Sequence, residues 1–162
     1  MNNFTIKSYA KVNLALNVTG KKTKLHKIES LISFIELHDL INLKKINKND
    51  HIVTFKGKFS KNISNVNTVT NLLKLLDETN LLNNQKFEIK ILKSIPQQAG
   101  MGGGSMNAAS LINFFINKKI IRIKENKLKK LIDQIGSDVI LGIKPKNIIL
   151  SHNGDITKYN KN

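Results

Sequence analysis

Four of the chain's nine glycines, Gly100, Gly102, Gly103 and Gly104, fall within five positions of the stretch IPQQAGMGGGSMNAA, residues 95–109. The stretch also holds Pro96, one of only two prolines. Glycine lets a backbone approach a ligand closely and adopt conformations closed to other residues. The loop Pro96, Gln97, Gln98, Ala99, Gly100, Met101, Gly102, Gly103, Gly104 and Ser105 runs into an apolar-patterned helix, with Ser105 expected near its N-cap. The first N–H groups of a helix lack intrahelical partners and carry partial positive charge, so the combination predicts an anion site suited to phosphate. It fits neither common phosphate fingerprint. One needs Lys and a hydroxyl residue after its last glycine, whereas Ser105 and Met106 follow Gly104. The other needs a parallel-sheet strand and a downstream acidic residue, and neither is supplied. A different nucleotide or phosphate loop is the expectation; a plain linker is disfavoured by the patterned segments on both sides.

Other site chemistries are excluded or weakened by composition. The chain has no cysteine, which removes disulfides and thiolate metal sites. His26, His38, His51 and His152 accordingly form no zinc spacing. A net charge of +16 invites a nucleic-acid reading. The 27 basic residues are spread along the chain, however, and Arg122 is the only arginine. Abundant Lys, Asn and Ile are what AT-rich codons produce, and no aromatic–basic interleaving accompanies them. A basic nucleic-acid module is therefore the third-ranked function, with weak attraction for phosphorylated ligands retained. No apolar run reaches membrane-span length and the start MNNFTIKSY lacks the regions of a secretory signal, so a cytoplasmic protein is expected.

The elements that must hold the loop read as α+β. Alternation predicts strands at 4–9, 12–18, 28–37, 40–46 and 51–56, the first two parted at Ala10-Lys11 and the next two at His38-Asp39. A helix is predicted over 67–80, with Val69, Leu72, Leu73 and Leu76 at helical spacing. The lead-in FEIKILKSI (87–95) alternates as a strand, and 105–117 continues as a helix on Ala108, Leu111, Ile112 and Phe115. A third helix spans 124–135, capped by Gly136, followed by a last strand at 147–151 and a polar tail from 154 expected to fray. The expected architecture is one domain, residues 1–153, with helices packed on a mixed, largely antiparallel sheet.

Three separated pieces, AKVNL (10–14), PQQAGMGGGSMNAA (96–109) and GSDV (136–139), resemble the GHMP small-molecule kinases. Their order and spacing look most like the branch that phosphorylates a cytidyl-bearing alcohol of isoprenoid biosynthesis. HKIESLISFIELHDLINL, NTVTNLLKLL and the closing LSHNGD extend the likeness over essentially the whole chain. The resemblance implies a ribosomal-protein-like fold and ATP-dependent phosphorylation of an alcohol, with Mg²⁺ accompanying the nucleotide. It implies that residues 96–105 wrap the ATP phosphates, that Asp138 takes the substrate hydroxyl's proton, and that Lys11 pairs with Asp138. Asn13 and His26 fall on the substrate side.

The chain departs from that pattern in four places. The family's Asp-Gly-Tyr-His-Glu turn is Thr23-Lys24-Leu25-His26-Lys27, so the ring that stacks on cytosine is missing and Lys24 stands at a glycine position. Stacking of a base on an aromatic side chain is worth about 1–3 kcal/mol. Met106 replaces the second serine of the loop. The family's second domain has no counterpart in the sequence, so the expectation is a truncated, impaired kinase or one completed by a separate chain. An inactive remnant that binds nucleotide or a partner is the alternative.

Overall fold

The computed structural model describes residues 3–21, 26–143, 145, 147–151 and 155–158. Strands β1 (Asn3–Lys21) and β2 (His26–Ile46) form a long antiparallel pair. The breaks expected at Ala10-Lys11 and His38-Asp39 are one register shift rather than strand ends, because Tyr9 faces His38 and Ala10 faces Ile35. The two residues left over on β2 bulge out, which bends the pair without ending it. Strand β4 (Lys86–Leu92) pairs antiparallel with residues 40–46 of β2, and β5 (Ile148–Leu150) pairs antiparallel with residues 30–32. Strand β3 (Ile52–Lys56) runs parallel to β4, and helix α1 (Thr68–Glu78) lies in the connection between them. The polar tail contributes β6 (Ile156–Lys158), paired with β5. The sheet is mixed and mainly antiparallel, as the alternation implied.

The helices cover one face of this sheet. Strand β4 presents Phe87, Ile89 and Ile91 inward, joined by Ile41 and Leu43 of β2. Helix α1 answers with Val69, Leu72, Leu73 and Leu76, the four residues its spacing picked out. The Asn67 side chain accepts from the N–H groups of Val69 and Thr70, and the Thr70 hydroxyl accepts from Asn67 N–H. That reciprocal capping box fixes where α1 begins. Helix α2 (Gly103–Asn117) is the central one, burying Met106, Ala108, Ala109, Leu111, Ile112 and Phe115. Helix α3 (Glu125–Ile135) buries Leu131, Ile132 and Ile135, and a short 3-10 turn (Val139–Gly142) follows. A smaller core of Ile32, Met106, Leu141 and Ile148 joins α2 and that turn to the other end of the sheet.

Candidate functional site

The glycine loop is held at its root by a residue the sequence reading placed only at a strand break. Asp39 is fully buried. Its Oδ1 accepts from the N–H groups of Ser94 (2.8 Å) and Ile95 (2.9 Å), and its Oδ2 accepts from Asn107 Nδ2 (3.0 Å) and the Lys93 ammonium. One carboxylate thus ties the end of β4 to the second turn of α2. Burying a charge is tolerated where a counter-charge and further donors surround it, and all of these are present. Lys93 is buried as well, and its Nζ lies 3.1 Å from where a Cβ on Gly103 would sit.

Further along, the Gln97 amide donates to the carbonyls of Phe59 (2.8 Å) and Lys61 (2.7 Å), anchoring the loop to the 58–66 connection. Lys11 N–H donates to Met101 O (3.1 Å), joining the loop to β1. Gly102 occupies the N-cap of α2 at φ 67°, left-handed, where a side chain would be strained and would strike Lys11 Cγ at 3.0 Å. Ser105, expected near the cap, is instead the third residue of the helix. The helix starts two residues earlier because Gly103 and Gly104 can enter it without collision. Gly104 packs so closely on α1 that an added Cβ would meet Thr68 Oγ1 at 2.9 Å, and the Thr68 hydroxyl donates to Gly104 O.

No side chain caps α2, and its first turn carries no acidic residue. Its leading N–H groups therefore face a cleft of about 340 Å³ bounded by the loop, Asn67, Thr68, Lys93, Phe55, Ile63 and Val69. The cleft's lining combines glycine backbone and the partial positive charge of the helix start with the apolar side chains of Phe55, Ile63 and Val69.

At the other flank of the loop stand the remaining candidates. Lys11 is buried, and its Nζ donates to Asn13 Oδ1 (2.7 Å) and lies 3.4 Å from Asp138 Oδ2. The register shift in the β1–β2 pairing falls between Tyr9 and Ala10, one residue ahead of Lys11. Asp138 precedes the 3-10 turn, and its side chain remains 42% exposed. Gly136 caps α3 as expected, with extended rather than left-handed backbone. A Cβ there would lie 3.8 Å from Ser105 Oγ, so the Ser105 hydroxyl looks toward this corner. The structure therefore gathers Lys11, Asn13, Asp138, Ser105 and the loop. Asn13 meets Lys11 directly, a contact the substrate-side expectation did not include.

Met106, which stands at the loop's second serine position, is 2% exposed and packs with Ile32, Leu141 and Ile148. A Cβ on Gly142 would meet Met106 Sδ at 3.1 Å, so this methionine seats the 3-10 turn. His26 opens β2 with its backbone opposite Lys21. Thr23, Lys24, Leu25 and the closing His152-Asn153-Gly154 lie outside the described residues. Among the described residues, no group of three or more His, Asp or Glu is arranged to hold a metal ion, and no helix is long and apolar enough to cross a membrane.

Asp39, Lys93, Asn107 and Thr68 went unnoticed in the sequence. Only Lys93 carried a signal, an inward-facing position in the alternating lead-in occupied by a charge.

Residues 67–145 match the family model of the GHMP kinases N terminal domain. The chain is 67% identical over 159 residues to the 4-diphosphocytidyl-2-C-methyl-D-erythritol kinase of Pelagibacter ubique (strain HTCC1062), covering 98% of this chain and 57% of that protein. It is 39% identical over 139 residues to the protein of the same name from Thermosipho melanesiensis (strain DSM 12029 / CIP 104789 / BI429), covering 83% of this chain and 46% of that one. Among solved structures, a 4-(cytidine 5'-diphospho)-2C-methyl-D-erythritol kinase superposes with a TM-score of 0.74 at 21% identity, covering 96% of this chain and 55% of that one. A mevalonate kinase superposes at 0.69 and 16% identity, covering 97% and 56%. These two structural likenesses speak for the fold. The chain spans about half the length of the curated relatives it matches.

Proposed function

We propose that this chain, which belongs with the GHMP kinases through the N-terminal domain it carries, binds ATP on the 96–105 loop and serves phosphoryl transfer to an alcohol. The acceptor class suggested by the relatives' name is 4-diphosphocytidyl-2-C-methyl-D-erythritol. The observation that carries the reading is the placement of Lys11 and Asp138, 3.4 Å apart, beside the uncapped start of α2. Phosphoryl transfer asks a protein chiefly for positioning and for electrostatic stabilisation of the transferred group. The residues present fit ATP: the cleft offers free N–H groups and glycine backbone for its phosphates, and Phe55, Ile63 and Val69 for its base.

In this reading the loop and the first turn of α2 hold the phosphate chain. Asp138 accepts the proton from the acceptor hydroxyl, for which one carboxylate within hydrogen-bond reach suffices. Lys11, oriented by Asn13, holds Asp138 in place and offsets negative charge on the moving phosphoryl group. Mg²⁺ accompanying the nucleotide would supply charge neutralisation of the phosphates, and the Ser105 hydroxyl and Asp138 are the groups of this chain that would hold it. Asn13 and His26 would face the acceptor. A second reading, nucleotide binding without transfer, draws on the exposure of Asp138, since water around a carboxylate screens the field on which transfer depends.

The test is ADP formation with and without the cytidyl alcohol, using the chain alone and the chain mixed with a polypeptide covering the rest of a relative's length. Acceptor-dependent ADP lost in Asp138→Asn supports transfer. Tight ATP binding with no acceptor-dependent ADP in either mixture contradicts it and leaves the second reading.

A further inference from the structure

A second cavity, remote from the glycine loop, has a different chemistry. It measures about 650 Å³, within the range of small-molecule sites of roughly 300–1,000 Å³. It lies between the C-terminal end of α1 and one face of α3, from Lys127 to Gln134, with residues 122–124 leading in. Leu75, Leu81 and Ile123, each partly buried, and buried Leu131 form its floor. Arg122, Lys124, Lys127 and Lys130 stand exposed around its rim. None of these four cations makes an ion pair among the described residues.

The rim is more than the general basicity of the chain. Where composition favours lysine throughout, the single arginine stands here. A guanidinium presents a rigid fork of donors that matches an oxyanion, which an ammonium cannot do. The floor requires a ligand with an apolar body, and four positive charges exceed what one carboxylate would balance. A phosphate monoester, carrying about −1.5 to −2 near neutral pH, matches them better.

We infer that this groove binds a single-chain amphiphile whose aliphatic tail lies on Leu75, Leu81, Ile123 and Leu131 and whose terminal phosphate is held by Arg122 with Lys124, Lys127 and Lys130. This is a site separate from the nucleotide cleft and does not depend on the kinase reading.

The full chain titrated with decyl phosphate below its micelle concentration, followed by calorimetry, tests it. Saturable one-to-one binding is expected, weakened at least tenfold by Arg122→Gln and unchanged by Lys45→Gln, which removes an exposed charge from β2. Decanol and inorganic phosphate should each bind at least tenfold more weakly than decyl phosphate, and excess ATP should leave its affinity unchanged. The proposal is overturned if Arg122→Gln binds as wild type, or if Lys45→Gln weakens binding equally. Displacement by ATP, inorganic phosphate binding as tightly as decyl phosphate, or absence of saturable binding would also overturn it.

Discussion

Lys11 Nζ and Asp138 Oδ2 lie 3.4 Å apart, brought from the first strand and the turn after the third helix to the same flank of the glycine loop. The ammonium is buried and the carboxylate is open to solvent. Asn13, two residues on, accepts from the same ammonium and fixes its direction. The pair is thus oriented from the protein side while its carboxylate remains reachable from outside.

Removing the carboxylate should separate binding from chemistry. Asp138→Asn keeps shape and loses basicity, so ATP affinity should stay within a few-fold while acceptor-dependent ADP formation falls by roughly 10²–10⁴. Calorimetry and a coupled ADP assay on one preparation read the two quantities. A parallel loss of both would point to a structural role.

Asp39 should matter to stability as much as any apolar core residue. Asp39→Leu strands the buried Lys93 ammonium without its counter-charge and leaves the N–H groups of Ser94 and Ile95 without their acceptor. Breaking such a pair from one side costs about 3–5 kcal/mol, whereas replacing both charges with apolar groups is often close to neutral. Urea unfolding of Asp39→Leu beside Asp39→Leu/Lys93→Met should therefore show the double variant recovering part of the loss. Equal losses would mean that the carboxylate, and not the pair, is what the fold requires.

Asn67 serves α1 and borders the cleft at once. Asn67→Ala should cost about 0.5–2 kcal/mol through loss of the cap, visible as a lower urea midpoint. A midpoint identical to wild type would mean that Thr68 and its bond to Gly104 suffice to start the helix.

His51 gives the fold a pH dependence away from the site. Burial holds its pKa below the ordinary 6.5, opposed by Asp77 and helped by Lys86. Its Nδ1 accepts from Phe87 N–H, so the proton of the neutral ring sits on Nε2, 3.3 Å from Asp77. Between the folded value and 6.5 the unfolded chain binds more protons, so stability should fall as pH drops through that window and level off above it. His51→Gln should flatten this slope in pH-dependent urea titrations. A slope unchanged by the substitution would assign it to other groups.

Local pattern carried much of the design. The helix stripes of α1 and α3, the alternation of β4 and the glycine loop between strand and helix are all short-range signals. What could not be read was long-range. Asp39 meets partners on β4 and α2 whose positions only the fold brings together, so in the sequence it looked like a strand break. The register shift after Tyr9 looked like a second break because both leave the alternation out of phase. Met106 could not be placed from its neighbours: a helix turns successive residues about 100° apart, so beside Ser105 in sequence it packs into the core. Arg122 was visible only as an oddity of composition.

The most direct measurement is ATP titration by calorimetry of the wild-type chain beside Gly103→Val. A side chain at Gly103 would press on Ile95 and on the Lys93 ammonium, each 3.1 Å from its Cβ, and would disturb the first turn of α2. Saturable binding to wild type, weakened at least tenfold in a variant whose circular dichroism is unchanged, is the expected result. Equal affinity in the two proteins, or negligible heat in both, would contradict the placement of ATP on this loop.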